Sequence, residues 1–524
     1  MAGDGAGEVA ALACRDLTIR FGDVTALSGV TLSLAPGRIH AVCGQNGAGK
    51  TSFARACAGL IAPSAGAIAI AGQKLTAGNS AAARAAGVQL VHQSFALPPS
   101  FTIAEAMEFG LTGRAGAIFT RRGLRARWAG HLLALGVDAK PSARIRDLPV
   151  ETQQAVEIAR ALAGEARVLI LDEPTAVLAP GAAEALFLRL RRLRDGGVTI
   201  LIILHKIREV LAVADTVTVL RGGTLVAGPE EASAVTAEGL ARAIIGAGAA
   251  APEAQEDLAA LVGAAMPHGT AHRPASTAKA VMTLAGVTTR KGPDGQHLDD
   301  IDLTVGAGEI LGIAGVEGNG QRPLVEAIAG LVALARGSVT LDGAAITTAP
   351  LAERRRRGLR IIPFERNTEG LSLSSPLWEN FSARTLLEGS ALALIDPAKL
   401  RREARAAFAT WDVRFATVDH PARSLSGGNA QKVILSREVD DAARLIVLAQ
   451  PTRGLDLGAT AFVWHAMRQA RARGLGLILI SSDLDELFDI SDRVIVLQGG
   501  RVAGQFAPPY DLGAVGRAMV GAHP

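Results

Sequence analysis

The sequence predicts two tandem α/β domains, and three observations carry that prediction. The chain has 524 residues, too many for one core, since single cores stop growing at roughly 250 to 300 residues. Two long segments repeat one plan: "LSGVTLSLAPGRIHAVCGQNGAGKTSFARACAGL" and "LDDIDLTVGAGEILGIAGVEGNGQRPLVEAIAGL" each read as a strand, a turn, a buried apolar strand, a Gly-rich loop and a helix. Further on, "DLPVETQQAVEIARALAGEARVLILDEPTAVLAP" lies over "SLSGGNAQKVILSREVDDAARLIVLAQPTRGLDL", and a single offset carries Leu148 onto Leu425, Asp172 onto Ala449 and His205 onto Ser482. Residues 247–279, rich in Ala, Gly and Pro, have the composition of a linker. The expected domains are therefore 9–246 and 280–524.

Composition narrows the class. Hydrophobic residues make up 49% of the chain, yet no uncharged apolar run approaches the roughly 18 to 20 residues that cross a bilayer, so a soluble protein is expected. The N-terminal stretch "MAGDGAGEVAALACRD" lacks the basic start and apolar stretch of a signal peptide, and Cys14, Cys43 and Cys57 make no paired framework, which together suit a reducing cytoplasm. A net charge of only +4 gives no block of positive charge large enough to propose nucleic acid as the main ligand. The run Arg354 to Arg357 in "ERRRRG" is expected to be a solvated helix face.

The first half carries the chemistry. "GQNGAGKT", Gly44 to Thr51, fits G-x-x-x-x-G-K-[ST] between a buried strand and a helix, the context that makes the motif credible. Its glycines let successive N–H groups turn toward phosphate oxygens, and the helix N-terminus adds partial positive charge. Lys50 is expected to reach the β- and γ-phosphates and Thr51 to ligate Mg²⁺, with Gly44, Gln45, Asn46, Gly47, Ala48, Gly49 and Ser52 completing the cradle for a nucleotide's phosphates. "VLILDEP" puts Asp172 and Glu173 at the C-terminal end of an apolar strand, where ligands of parallel α/β sheets bind. Asp172 is expected to hold the metal shell and Glu173 to polarise the attacking water, since phosphoryl transfer depends mainly on positioning and charge stabilisation. His205 and Gln93 end two further apolar strands.

Taken together, these residues resemble those of an ATP-binding cassette (ABC) ATPase, over essentially both halves. The most specific element is "LSGGN", Leu425 to Asn429, followed by "AQK", a helix and a strand like that of Walker B. The resemblance implies two nucleotide-binding domains, each a mixed β-sheet core with a helical subdomain. It implies that Phe21 stacks on adenine, although a core aromatic is the alternative reading. Gln93 becomes the Q-loop residue near Mg²⁺ and the membrane partner, and His205 the switch histidine that senses the γ-phosphate. In that family the domains pair head to tail, so each site joins one domain's phosphate loop to the other's signature.

Scored as crossed pairs, the halves are unequal. Site one combines Lys50, Thr51, Gln93, Asp172, Glu173 and His205 with Ser426, Gly427, Gly428, Asn429 and the D-loop Asp456 of the second half. Site two is depleted on both faces: in "GVEGNGQR" the lysine and hydroxyl positions hold Gln321 and Arg322, the acids become Ala449 and Gln450, and the histidine becomes Ser482. Its signature partner is "LPVET", where Pro149, Val150 and Glu151 replace serine and two glycines. A lost charge-assisted hydrogen bond costs about 1.5 to 3 kcal/mol, so several losses together should abolish efficient hydrolysis there.

Tandem cassettes of this length resemble the ATP-binding subunits of bacterial importers for nucleosides and sugars. "LAQPTRGLDLGA", "GVEGNGQ", "LVHQSF" and "DEPTAVLAP" stand closer to the nucleoside branch, while "IIPFERN" departs from the "PEDR" of many relatives. The resemblance implies two integral-membrane permease subunits, an extracytoplasmic substrate-binding protein, and a peripheral place on the cytoplasmic face of the cell membrane. Segments 100–110 and 374–381 occupy matching places and would carry the permease contacts, or are ordinary helix starts capped by Thr102 and Ser374. The rivals are a monosaccharide importer, a soluble ABC protein acting on ribosomes or DNA, and a non-hydrolysing scaffold.

Overall fold

The computed structural model describes residues 9–521 apart from 23, 93–96, 110–119, 165, 176–177, 179, 247–278, 293–294, 317 and 389–393. Gln93 and all of the expected linker but Lys279 lie outside the described residues. Residues up to Gly246 fall in one compact unit and those from Lys279 onward in another.

In the first unit the uninterrupted apolar runs become a parallel sheet. Val88–Val91, Val168–Asp172, Thr199–Ile203, Ile39–Cys43 and Thr216–Arg221 pair in that order, and Thr224–Glu231 adds an antiparallel edge. Three of these strands, Ile39–Cys43, Val168–Asp172 and Thr199–Ile203, are buried at every position, as strands covered on both faces must be. A second, antiparallel sheet follows the order Val24–Leu34, Leu12–Phe21, Ala65–Ile70, Gln73–Lys74. Helix Lys50–Cys57 buries Phe53 and Ala54 in the core that both sheets share.

The second unit repeats this arrangement. Its parallel strands run Leu359–Ile362, Leu445–Ala449, Gly476–Ile480, Ile310–Ala314 and Arg493–Gln498, again with an antiparallel edge, Arg501–Phe506. Each unit also carries helices beside the sheets: Ile103–Glu108, Arg121–Ala134 and Val150–Leu162 in the first, Leu377–Glu388, Pro397–Thr410 and Gly427–Glu438 in the second. The first trio has its own core around Met107, Trp128, Leu132 and Val156. In the second, Phe408 is fully buried with Phe381 and Phe415 edge-on at 5.5 and 5.4 Å.

Three local expectations meet the structure here. Cys14, Cys43 and Cys57 are buried and free. Thr102 caps helix Ile103–Glu108 through a capping box: its hydroxyl accepts from Glu105 N at 3.3 Å while Glu105 accepts from Thr102 N at 2.8 Å. Ser374 is not the matching cap, because the corresponding helix begins only at Leu377. Asn380 organises that start instead, accepting from Ser372 N and donating to the carbonyls of Ser372, Ser375 and Pro376.

The run 354–357 is corrected in part. Arg354 is 1% exposed, and its guanidinium donates to the carbonyls of Ala327, Ile328, Thr347 and Ala349 at 2.8 to 2.9 Å. Ala327 and Ile328 end helix Gln321–Ala329, whose last carbonyls have no partner within the helix and attract a cation. A charge pattern alone does not reveal that a neighbouring helix end needs donors. Arg356 and Arg357 are exposed as expected.

Candidate functional site

The phosphate loop of the first unit is built by close approach. A Cβ on Gly44 would stand 2.1 Å from Leu220 O, and one on Gly49 2.4 Å from Ala26 O, so neither position tolerates a side chain. Gly49 is also left-handed, φ 95°, where the chain turns into helix Lys50–Cys57. Ala48 is buried, Gln45 and Ser52 are half-buried, and Asn46 and Gly47 are exposed at the mouth. Lys50 is 5% exposed, and its ammonium donates to Gly44 O at 2.8 Å and Gln45 O at 2.9 Å. Phe21, at the end of strand Leu12–Phe21, is 50% exposed, which rules out the core reading.

Strand pairing brings the acids to this loop. Thr51 Oγ1 donates to Asp172 Oδ1 at 3.3 Å, across 121 residues of chain. Burial raises the Asp172 carboxyl above its usual range, against the hydrogen bond from Thr51, and the neighbouring Glu173 charge adds to the rise. Burial also disfavours charge on Glu173, but its hydrogen bond with His205 Nε2, the His205 charge and Lys50 outweigh it and hold that carboxyl below its usual value. Glu173 has φ 51°, a left-handed turn that lifts the side chain off the strand direction. Its N–H donates to Ile203 O, two residues before His205.

Thr51 and Asp172 together present a hydroxyl and a carboxylate, hard oxygen donors of the kind Mg²⁺ accepts beside water and phosphate oxygens. Among the described residues no cluster of three His, Cys, Asp or Glu could hold a metal alone. The hydroxyl of Thr51 and the carboxylate of Asp172 fit a Mg²⁺ whose remaining ligands are water or phosphate oxygens.

The second unit keeps the backbone of this site and changes its side chains. Gly320 has φ 108° where helix Gln321–Ala329 begins, and Gln321 Nε2 donates to Val316 O at 3.1 Å, the carbonyl that corresponds to Gln45. Arg322 is committed: it donates to Glu369 at 2.8 Å and lies 4.9 Å over the Phe364 ring. Gln450 has φ 52° and accepts from Ser482 N and Oγ, both at 3.3 Å. A glutamine–serine pair thus stands where the first unit has glutamate and histidine.

The signature segment is intact in the second unit. Ser426 caps helix Gly427–Glu438, and Asn429 Nδ2 donates to its hydroxyl at 3.0 Å. Gly428 leaves only 3.0 Å between an added Cβ and the Cβ of Ala459. Asp456 caps helix Leu457–Ala472, accepting from Ala459 N at 2.8 Å, so one short turn supports both elements. In the first unit Pro149 precedes helix Val150–Leu162 with no side-chain cap; the Val150 and Glu151 side chains lie outside the described residues. Sequence reasoning did not single out Phe364, Arg366 or Glu369, although "IIPFERN" marked their segment as unusual.

Known proteins agree with this duplicated arrangement. The family model described as ABC transporter matches residues 27–176 and again 298–453. A ribose import ATP-binding protein of Rubrobacter xylanophilus is 34% identical over 500 residues, covering 94% of each chain. A nucleoside import ATP-binding protein of Lactococcus lactis subsp. cremoris is 34% identical over 495 residues, again 94% of each. A putative ribose/galactose/methyl galactoside import ATP-binding protein of Agrobacterium fabrum is 33% identical over 499 residues, 95% of each.

Proposed function

This chain belongs to the ABC transporter family, and from that premise we propose that it powers nucleoside uptake through separate permease subunits, hydrolysing ATP at one competent site and not at its degenerate counterpart. It is an ATPase of the sugar and nucleoside import type. The observation that carries the one-site reading is the pair Glu173–His205 beside buried Lys50, set against Gln450–Ser482 beside Gln321.

In this mechanism Phe21 stacks on adenine, and the N–H groups of Gly44 to Ser52 surround the phosphates. Lys50 exchanges the carbonyls of Gly44 and Gln45 for β- and γ-phosphate oxygens. Thr51, Asp172 and Gln93 would hold Mg²⁺, which neutralises phosphate charge when bound. Glu173 orients a water and accepts its proton as the water oxygen bonds to the γ-phosphorus and the bond to the ADP oxygen breaks, leaving ADP and phosphate. His205 keeps Glu173 aimed and ionised. Ser426, Gly427, Gly428 and Asn429, with Asp456, complete the same nucleotide site from the second unit as the halves pair head to tail.

Two permease subunits and an extracytoplasmic binding protein are the partners of this reading, with the chain peripheral at the cytoplasmic face of the cell membrane. Among the described residues no helix is long and apolar enough to cross a membrane, so the passage itself falls to those partners. Nucleosides are favoured by the loss of both acids at Ala449 and Gln450; a monosaccharide is the second reading, because relatives of equal identity carry ribose in their names. Uptake of labelled nucleosides and labelled pentoses by the assembled importer separates them. Transport of pentose alone replaces the nucleoside reading.

A further inference from the structure

The turn that carries Glu173 is held from several sides of the first unit. Glu173 N donates to Ile203 O at 3.1 Å in the strand alongside. Thr175 Oγ1 donates to Glu209 at 2.5 Å, and Glu209 lies on helix Ile207–Val213, which follows His205. Between these two contacts the carbonyl of Pro174 accepts from Gln154 Nε2. Gln154 belongs to helix Val150–Leu162 and is 5% exposed, and Pro174 is buried as well. A buried carbonyl needs a donor, and this side-chain amide supplies it.

The proline gives the middle contact its leverage. Its ring locks φ, so the backbone freedom left at Pro174 is the rotation that swings its carbonyl. Holding that carbonyl ties the Glu173 backbone, through a planar peptide and a locked φ, to helix Val150–Leu162.

The second unit keeps the outer contacts and lacks the middle one. Gln450 N donates to Ile480 O at 2.8 Å, and Thr452 Oγ1 to Glu486 at 2.8 Å. The offset that carries Asp172 onto Ala449 carries Gln154 onto Gln431, which is buried too, at 3% exposed. Its Nε2, however, has no hydrogen-bond partner. An unmade hydrogen bond at a buried donor costs about 1 to 3 kcal/mol, and the second unit carries that cost where the strand ends without a carboxylate. The outer contacts therefore belong to the shared fold, whereas the amide–carbonyl bond accompanies the glutamate.

We infer that Gln154 is a positioning residue for the hydrolysis: by holding the Pro174 carbonyl it keeps the Glu173 carboxylate aimed at the attacking water, and it ties that aim to the placement of helix Val150–Leu162. The inference rests on the proposal that Glu173 accepts the proton of this water. Gln154 acts through the turn and does not touch the nucleotide in this role.

The test is ATP hydrolysis by the full chain assembled with its permease, with kcat and KM read separately. With the inference correct, Gln154→Met, which keeps the length of the side chain without its donor, lowers kcat by about ten- to a hundredfold, the scale of a small misplacement of a reacting group. KM for ATP stays within about threefold, in a protein that remains folded at the assay temperature. Gln431→Met has no contact to lose and leaves kcat within about twofold. In a Glu173→Gln background, Gln154→Met lowers the residual rate by less than about twofold, because no acceptor is left to aim. Gln154→Leu, also without a donor, decides if Gln154→Met does not fold. Full kcat in the folded Gln154 variant beside a loss in Glu173→Gln overturns the inference and leaves Glu173 in its role. A loss carried by KM, an equal loss in Gln431→Met, or a further tenfold loss in the Glu173→Gln background also overturns it, since each assigns Gln154 to the fold alone. Full activity in Glu173→Gln overturns the reading of Glu173 and the inference with it.

Discussion

At the ends of strands Val168–Asp172 and Leu445–Ala449 the two units have one backbone and two chemistries. Glu173 and Gln450 have φ of 51° and 52°, and each donates its N–H to the strand alongside, to Ile203 O and Ile480 O. A left-handed conformation costs a non-glycine residue roughly 1 to 2 kcal/mol, and the second unit carries that cost where no carboxylate remains to be aimed. The turn therefore belongs to the fold, which must swing the chain from strand to loop, and the chemistry belongs to side-chain ends alone. The change of side chains in the second unit required no loss of architecture.

The most severe way to break this comparison is to exchange the acid. Glu173→Gln is expected to lower ATP hydrolysis by about 10² to 10⁴-fold, the contribution of a positioned proton acceptor, whereas Gln450→Ala should leave the rate within about twofold. Steady-state phosphate release reads both, and equal losses would end the one-site interpretation.

A second test asks how the units differ in stability. Arg354 satisfies helix-end carbonyls in the second unit, whereas the corresponding helix of the first unit, Ser80–Ala85, buries Ala83. Arg354→Ala should destabilise the second unit by about 3 kcal/mol, through buried carbonyls left without donors. Denaturant unfolding should show an earlier second-unit transition with the first unchanged.

The matching glutamates Glu209, half-buried, and Glu486, buried, give a pH test of smaller size. Thr175 donates to Glu209 at 2.5 Å, and Thr452 to Glu486 at 2.8 Å. Glu486 alone gains an indole donor, Trp464 at 3.1 Å, where the first unit has Phe187. Complete burial pushes its carboxyl up to about 7 from 4.5, with Asp483 adding to the rise and Ser481, Thr452 and Trp464 opposing it. The folded protein then holds a proton that the unfolded chain releases, so stability falls as pH rises from 4.5 to 7 and levels off above. The span is at most about 3 kcal/mol by proton linkage. Glu486→Gln should flatten that slope in melting curves taken between pH 5 and pH 8; an unchanged slope assigns it elsewhere.

The smallest expected effect sharpens the contrast between helix starts. Thr102→Ala removes a capping box and should cost about 1 kcal/mol, while Ser374→Ala, which caps nothing, should stay within about 0.5 kcal/mol. Thermal melts of the two variants compare them directly.

Motifs whose parts lie close together along the chain are legible from residue order. Gly44 to Thr51 can be read because a loop that wraps phosphate needs its glycines at fixed spacing, and "VLILD" can be read because a strand buried on both faces is apolar throughout. The repeat is legible for the same reason, since matching elements carry matching periodicity. Phe21 is open between two readings until its exposure removes the core one. Arg354 is misread as solvated because whether an arginine faces water depends on which helix end docks beside it. The Arg322–Phe364–Glu369 cluster and the contact of Arg366 with Gly427 join residues 42 to 61 positions apart, with no local signal for either.

Residue order alone was enough for the duplication, the phosphate loop, the two acids and the inequality of the halves, because each is a matter of residue type at short range along the chain. Packing settled which charges are compensated and how: Arg322 by Glu369 and Arg354 by helix-end carbonyls. Burial and neighbours set the cost of a charge, and both come into being only when distant segments meet.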